Sequence, residues 1–193
     1  IKYKFVLNGL RWENIKLFMR KEFDQPSSLE AEKAVLGGLL LKPDLWDTVS
    51  VTVDEKDFIL LEHQLIYRAI RRLRDHGSEI DTVTLIESLT SDPDISSLSN
   101  FNQNEYIRQL AKDTPGTANF DNYTDIVKQT SNLRKLISTA SDISNIAKDS
   151  DTFEIEDTFS QAENKLINLR DSKDIKKRPT LAKDIIKPVY DNI

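Results

Sequence analysis

The chain has 193 residues, enough for one sizeable domain that buries its own core without covalent staples. It contains no cysteine, which excludes disulfides, thiolate metal sites and cysteine nucleophiles. The net charge of -5 argues against a surface built mainly to neutralise phosphates, and the longest apolar run, Val35 to Leu41, is too short to span a bilayer.

Charge is distributed unevenly. Residues 1–25 hold six Lys/Arg against three Asp/Glu, whereas residues 26–193 hold 21 against 29. The leader also gathers Tyr3, Phe5, Trp12, Phe18 and Phe23, so it reads as an arm that packs on its own domain or on a neighbouring subunit. A basic aromatic segment can also touch nucleic acid or a partner helix. The first residue is Ile1, so the natural start is expected to lie upstream.

Pro26-Ser27-Ser28 precedes an apolar-periodic run, and Ser27 with Glu30 makes a capping-box pattern. The predicted helix runs from Leu29 to Leu41 and offers Ala31, Val35, Leu36, Leu39 and Leu40 to a core, with Gly37-Gly38 permitting close helix packing. Pro43 stops it, and a short turn of helix carries Leu45, Trp46 and Val49. Glu62 to His76 is strongly amphipathic: Leu65, Ile66, Ala69, Ile70 and Leu73 share one face, and Gly77 is a natural stop. Arg68, Arg71, Arg72 and Arg74 read as a solvated face whose cations suit the helix dipole. The next helix spans Val83 to Thr90, with Thr84 and Glu87 as a capping pair; a polar loop from Asp92 to Asn104 precedes a short helix, Glu105 to Asp113, that buries Ile107, Leu110 and Ala111.

Beyond Thr114-Pro115-Gly116 the pattern changes. No Pro or Gly interrupts Asn119 to Lys148, where Ile126, Leu133, Ala140 and Ala147 recur every seven residues, with Leu136 and Ile143 three residues after two of them. After a polar turn at 149–152, Ile155, Phe159, Ala162, Leu166 and Leu169 repeat the alternation. Two seamed helices joined this way form an antiparallel αα-hairpin. Residues 171–178 read as a linker, and Thr180 can cap a short helix bearing Leu181, Ile185 and Ile186 before Pro188. The end at Ile193 reads as a cut. The predicted architecture is all-α, with a leader (1–25), a globular helical head (26–118), a helical hairpin (119–170) and a linker with a short linker helix (171–193).

The chemistry of an enzyme is not evident in these residues. No Gly-x-x-x-x-Gly-Lys-Ser/Thr loop exists for nucleotide phosphates. His63 and His76 lie 13 apart without metal-ligand spacing, and His63 reads as a half-exposed residue near a helix start. Asp and Glu read as caps and solvated faces; Glu30 and Glu32 point to different sides of their helix. No catalytic residue, cofactor site or metal site is assigned, and the chain reads as a binding or assembly module.

The segment Pro26-Ser27-Ser28-Leu29-Glu30-Ala31-Glu32-Lys33-Ala34-Val35-Leu36-Gly37-Gly38-Leu39-Leu40 resembles the opening of the N-terminal domain of the DnaB family of bacterial replicative helicases. Further matches follow in order: Trp46, Asp57-Phe58, His63 to Tyr67, Gly77 to Asp81, Thr84 to Leu89, Tyr106 to Leu110, Thr114 to Asn119 and Tyr123 to Val127. The ordered set covers residues 26–170. The resemblance implies a collar domain, usually a trimer of dimers within a hexamer, that binds primase and, in many systems, a helicase loader. It places ATP, Mg2+ and 5′-to-3′ unwinding in a motor domain absent from this sequence, with single-stranded DNA passing through the intact ring, in the cytoplasm. Candidate partner-facing residues are Tyr106, Ile137, Ile143 and Ile146, with Ile137 and Ile146 flanking a hairpin seam of Leu133, Leu136, Ala140 and Ile143. Equally, these residues could only widen the hairpin core. Leu181, Ile185 and Ile186 are candidates for docking a linker helix on a neighbouring motor domain. Two other readings remain: a stand-alone adaptor or inhibitor derived from such a helicase, and a single-strand DNA-binding module that uses residues 1–25.

Overall fold

The computed structural model describes residues 25–98, 101–114, 116–150 and 155–174. Among them there are seven α-helices and no strand: α1 Leu29–Leu41, α2 Trp46–Val49, α3 Leu61–Asp75, α4 Thr82–Thr90, α5 Gln103–Asp113, α6 Phe120–Asp149 and α7 Ile155–Asp174. Short 3-10 turns at Pro43–Leu45, Glu55–Asp57 and Pro93–Ser97 connect them.

Local chemistry starts and stops these helices, though not always at the expected residue. The N-cap of α1 is Ser28, not Ser27; its Oγ accepts the Ala31 N–H at 3.3 Å. With Leu29 as the first helical residue, Ala31 occupies the third position and Glu30 is one place too early to close a box. Helix α4 is capped by Asp81 and not by the Thr84–Glu87 pair. Asp81 Oδ1 accepts the Val83 and Thr84 N–H groups, and Thr84 Oγ1 accepts the Asp81 N–H in return. At the end of α3, Gly77 adopts φ +68, Ser78 N–H bonds Leu73 O, and Gly77 N–H bonds Arg74 O. This pair of bonds is a Schellman closure, which needs a residue free to take positive φ.

The core lies between α1, α3, α4 and α5 and the start of α6, built on Val35, Leu36, Leu39, Leu65, Ile66, Ile70, Leu85, Leu89 and Ile107. Tyr67 is fully buried; the Trp46 and Phe58 rings each pack on it with centroids 5.1 Å away, and its hydroxyl donates to Val53 O. Gly37 and Gly38 allow close approach, as their place in α1 suggested. A Cβ on Gly37 would sit 1.8 Å from Thr114 Oγ1 and 2.8 Å from Leu110 O; one on Gly38 would meet the Phe120 ring at 2.7 Å.

Helix α6 serves two bodies. Phe120, Thr124, Val127 and Ser131 form its buried stripe on the head. Farther along, Thr139, Ile143, Ile146 and Ser150 are half-buried against α7. There Thr158 Oγ1 bonds Ser150 Oγ at 2.8 Å, and Lys165 pairs with Asp142 at 2.9 Å. The antiparallel hairpin is therefore present, but its seam is not the expected one. Leu133, Leu136 and Ala140 are exposed, while Thr139 and Ile146 take the inward places. The head fixes the rotational phase of α6, and α7 packs about 100° round from the head-facing stripe. On α7 the half-buried residues are Thr158, Ala162 and Leu169, so Ile155, Phe159 and Leu166 also face outward. Helix α7 continues to Asp174, past the expected linker start at residue 171, because no Gly or Pro intervenes before Pro179. The polar turn at 151–154 and the expected helix after Thr180 lie outside the described residues.

Candidate functional site

Three polar clusters tie the head together. Glu32 and His63 were expected at the surface, yet both are fully buried. Glu32 Oε2 lies 2.6 Å from His63 Nδ1, and Glu32 Oε1 accepts the Ile59 N–H at 2.9 Å. A carboxylate only accepts, so Nδ1 carries the proton; in the neutral ring Nε2 then accepts the Tyr106 hydroxyl at 2.6 Å. Burial, reinforced by the charges of Glu62 and Glu32, pushes the Tyr106 phenol up to about 12. The sequence carried a signal for this pair. Val35, Leu36 and Leu39 stand three, four and seven residues after Glu32, and Ile66, Tyr67 and Ile70 stand likewise after His63. Each polar residue therefore heads a core-facing stripe.

Asp57 anchors α6 to the head. Its buried carboxylate accepts Ser131 Oγ at 2.6 Å, Lys128 Nζ at 2.7 Å, Lys135 Nζ at 2.8 Å and the Asp54 N–H at 2.9 Å. Burial alone would raise its pKa, but the bonds from Lys128, Lys135, Ser131 and the Asp54 amide hold it far below the ordinary carboxylate range. Arg134 adds bonds to Asp57 O and Pro26 O.

The arginines of α3 form the third cluster, and they are not a free solvated face. Arg68 pairs with Glu55 and Asp94, Arg71 with Asp54, Arg72 with the buried Asp92, and Arg74 with Asp47. Folding brings acidic loops from both sides onto this helix, which periodicity within the helix cannot show. Apart from the buried Arg72 Nε, which has no hydrogen-bond partner, and Asp92 Oδ2, held only by its ion pair with Arg72, these clusters are satisfied within the fold, which makes them scaffolding.

The candidate partner residues fall in different places. Tyr106 is half-buried on α5 beside Phe101, with its hydroxyl committed to His63. Ile137 is 53% exposed on α6. Ile143 and Ile146 are half-buried on the side of α6 that meets α7. Leu181, Ile185 and Ile186 lie outside the described residues. The sequence reading passed over the outward apolar residues Ile126, Leu133, Ile155, Phe159, Leu166 and Ile167, because it had placed most of them in the seam. Ile126, Leu133 and Ile137 stand about 230° round α6 from the head-facing stripe, on the side away from the head. No described helix is long and apolar enough to cross a membrane, and no described group of His, Asp and Glu could hold a metal ion.

Comparison with known proteins places this arrangement. The family described as DnaB-like helicase N terminal domain matches residues 24–129, more than half of the chain. The chain belongs to that family. It is 34% identical over 163 residues to the replicative DNA helicase DnaB of Buchnera aphidicola subsp. Baizongia pistaciae, covering 84% of this chain and 35% of the relative. It is also 34% identical over 170 residues to the replicative DNA helicase DnaC of Bacillus subtilis, covering 87% and 36%. The chain thus spans about a third of the length of these relatives. The crystal structure of the N-terminal domain of DnaB helicase from Mycobacterium tuberculosis superposes with a TM-score of 0.66 at 26% identity, covering 75% of this chain and 99% of that one. A DnaB-like replicative helicase studied for its interactions with primase shares the fold, with a TM-score of 0.58 at 19% identity over 84% of this chain and 35% of that one. The family match covers the head and the first part of α6, which in this chain are fastened by the Glu32–His63–Tyr106 and Asp57 clusters.

Proposed function

We propose that this DnaB-family domain is an assembly and docking module of a replicative helicase, and that it associates with copies of itself through the outward apolar face of the hairpin. The observation that carries this reading is the set of large apolar side chains left in water on α6 and α7. Ile137 is 53% and Phe159 60% exposed, alongside Leu133, Ile155 and Leu166. A polar-surfaced monomer does not ordinarily leave so many in one element, and burying each contributes about 1.5–3 kcal/mol. The head, by contrast, pairs nearly all of its buried polar side chains internally and supplies a stiff base.

In the full assembly the domain forms the collar of a hexamer, a trimer of dimers, and recruits primase and a helicase loader in the cytoplasm. ATP, Mg2+ and the passage of single-stranded DNA belong to the ring of motor domains. The likeness to a helicase whose interactions with primase have been studied supports primase as the partner.

The test combines light scattering with a primase-binding assay. The wild-type chain should exceed monomer mass at micromolar concentration, and Ile137→Asp with Phe159→Asp should shift it toward monomer while the helical circular dichroism signal stays intact. A monomeric wild-type chain that also fails to bind primase would remove this reading.

A further inference from the structure

Beside Tyr106 the head carries a cavity of about 290 Å3 that none of the interactions above uses. Its floor is Ala34 and Leu110, both buried, and the half-buried rings of Tyr106 and Tyr123 form walls. Glu30 and Asp113 stand exposed at its rim against one lysine, Lys33. A cavity of about 150 Å3 is enough to hold a benzene ring. This one therefore has room for an aromatic side chain and part of its backbone, and its rim favours a cationic neighbour.

We propose that this cavity is the seat of the chain's own basic leader, with Phe18 inserted between Tyr106 and Tyr123. Three observations select that occupant. The leader joins the first cation-rich, aromatic-rich stretch of the chain directly to Pro26, at the edge of the head. The carbonyl of Pro26 is held by Arg134 at 2.7 Å, which fixes where the leader departs. Glu30, which lines the cavity, lies four residues after Pro26, at most about 14 Å of chain from that point. Phe23 stands between Glu22 and Asp24, whose carboxylates would repel Glu30 and Asp113, whereas Phe18, eight residues before Pro26, reaches the cavity with up to about 27 Å of extended chain. Phe18 is moreover flanked by Lys16, Arg20 and Lys21, the cations that suit Glu30 and Asp113. Seated there, the leader packs on Tyr106, whose hydroxyl His63 holds.

The absence of native cysteine makes a cross-linking test free of background. Leu17→Cys is combined with Gln109→Cys, an exposed residue at the cavity rim, in the full chain. The control pairs Leu17→Cys with Val83→Cys, which is exposed on α4. Under mild oxidation the first pair should close an intrachain disulfide about ten-fold faster or more, as tethering near the cavity raises effective concentration. Phe18→Ser lies outside the head and should abolish that advantage without altering the circular dichroism spectrum. Equal rates for the two pairs, or a rate indifferent to Phe18→Ser, would overturn the proposal. So would a disulfide found only between chains on a non-reducing gel, which would assign the cavity to the leader of a second copy.

Discussion

Replacing Asp57 with alanine should be among the most destabilising changes outside the apolar core. The side chain is 1% exposed and accepts four hydrogen bonds, two of which have no easy alternative. Ser131 Oγ is buried, and the Asp54 N–H belongs to the capping box of the 3-10 turn at Glu55–Asp57. A bond to a charged acceptor contributes about 1.5–3 kcal/mol. Lys128 and Lys135, 20% and 44% exposed, can turn back to water, so their pairs are discounted to about 1 kcal/mol or less each. The expected loss is about 3–5 kcal/mol, a large part of a typical domain stability of about 5–15 kcal/mol. Urea unfolding followed by circular dichroism and by the fluorescence of the buried Trp46 measures it, and the melting temperature should fall by about 10 °C. The penalty must also depend on pH. Because the folded-state pKa is depressed, the stabilisation is complete above the unfolded carboxylate value of about 4 and drains away as pH falls below it. Wild type and Asp57→Ala should therefore converge in acid. A loss under about 1 kcal/mol at neutral pH, or a gap that widens on acidification, would refute the anchoring role.

Two other changes probe the head. Gly37→Ala should lower stability by about 1–2 kcal/mol, because overpacking against Leu110 O and Thr114 Oγ1 outweighs the helix propensity gained; a higher urea midpoint would show that the α1–α5 approach has slack. Glu32→Ala should cost about 3–5 kcal/mol by leaving His63 Nδ1 and the Ile59 N–H without an acceptor. The Glu32→Ala/His63→Leu double variant should recover part of that in urea titrations, since removing both partners is milder than orphaning one, and a strictly additive double variant would contradict the pairing.

Much of this molecule was legible from local rules. Period-3.6 apolar spacing placed α1 and α3 within a residue of their observed ends, and Pro43 and Gly77 stopped the helices where their backbone chemistry requires. The uninterrupted run after residue 119 became α6, and the ordered motifs from Pro26 onward named the family correctly. These features depend on residues close in the chain, or on a pattern shared with relatives.

What needed the tertiary structure was every choice among faces. Glu32 and His63 read as surface residues because each is polar, and only their meeting across 31 residues lets both be buried. The arginines of α3 look solvated until the loops bearing Asp54, Asp92 and Asp94 fold over them. The hairpin seam was misjudged by one residue because heptad spacing defines a stripe but not which of two neighbouring stripes meets the partner helix. That phase was set elsewhere, by Phe120, Thr124, Val127 and Ser131 locking α6 onto the head. A helix is a rigid rod, so contacts at its base determine which side chains it presents along its whole length.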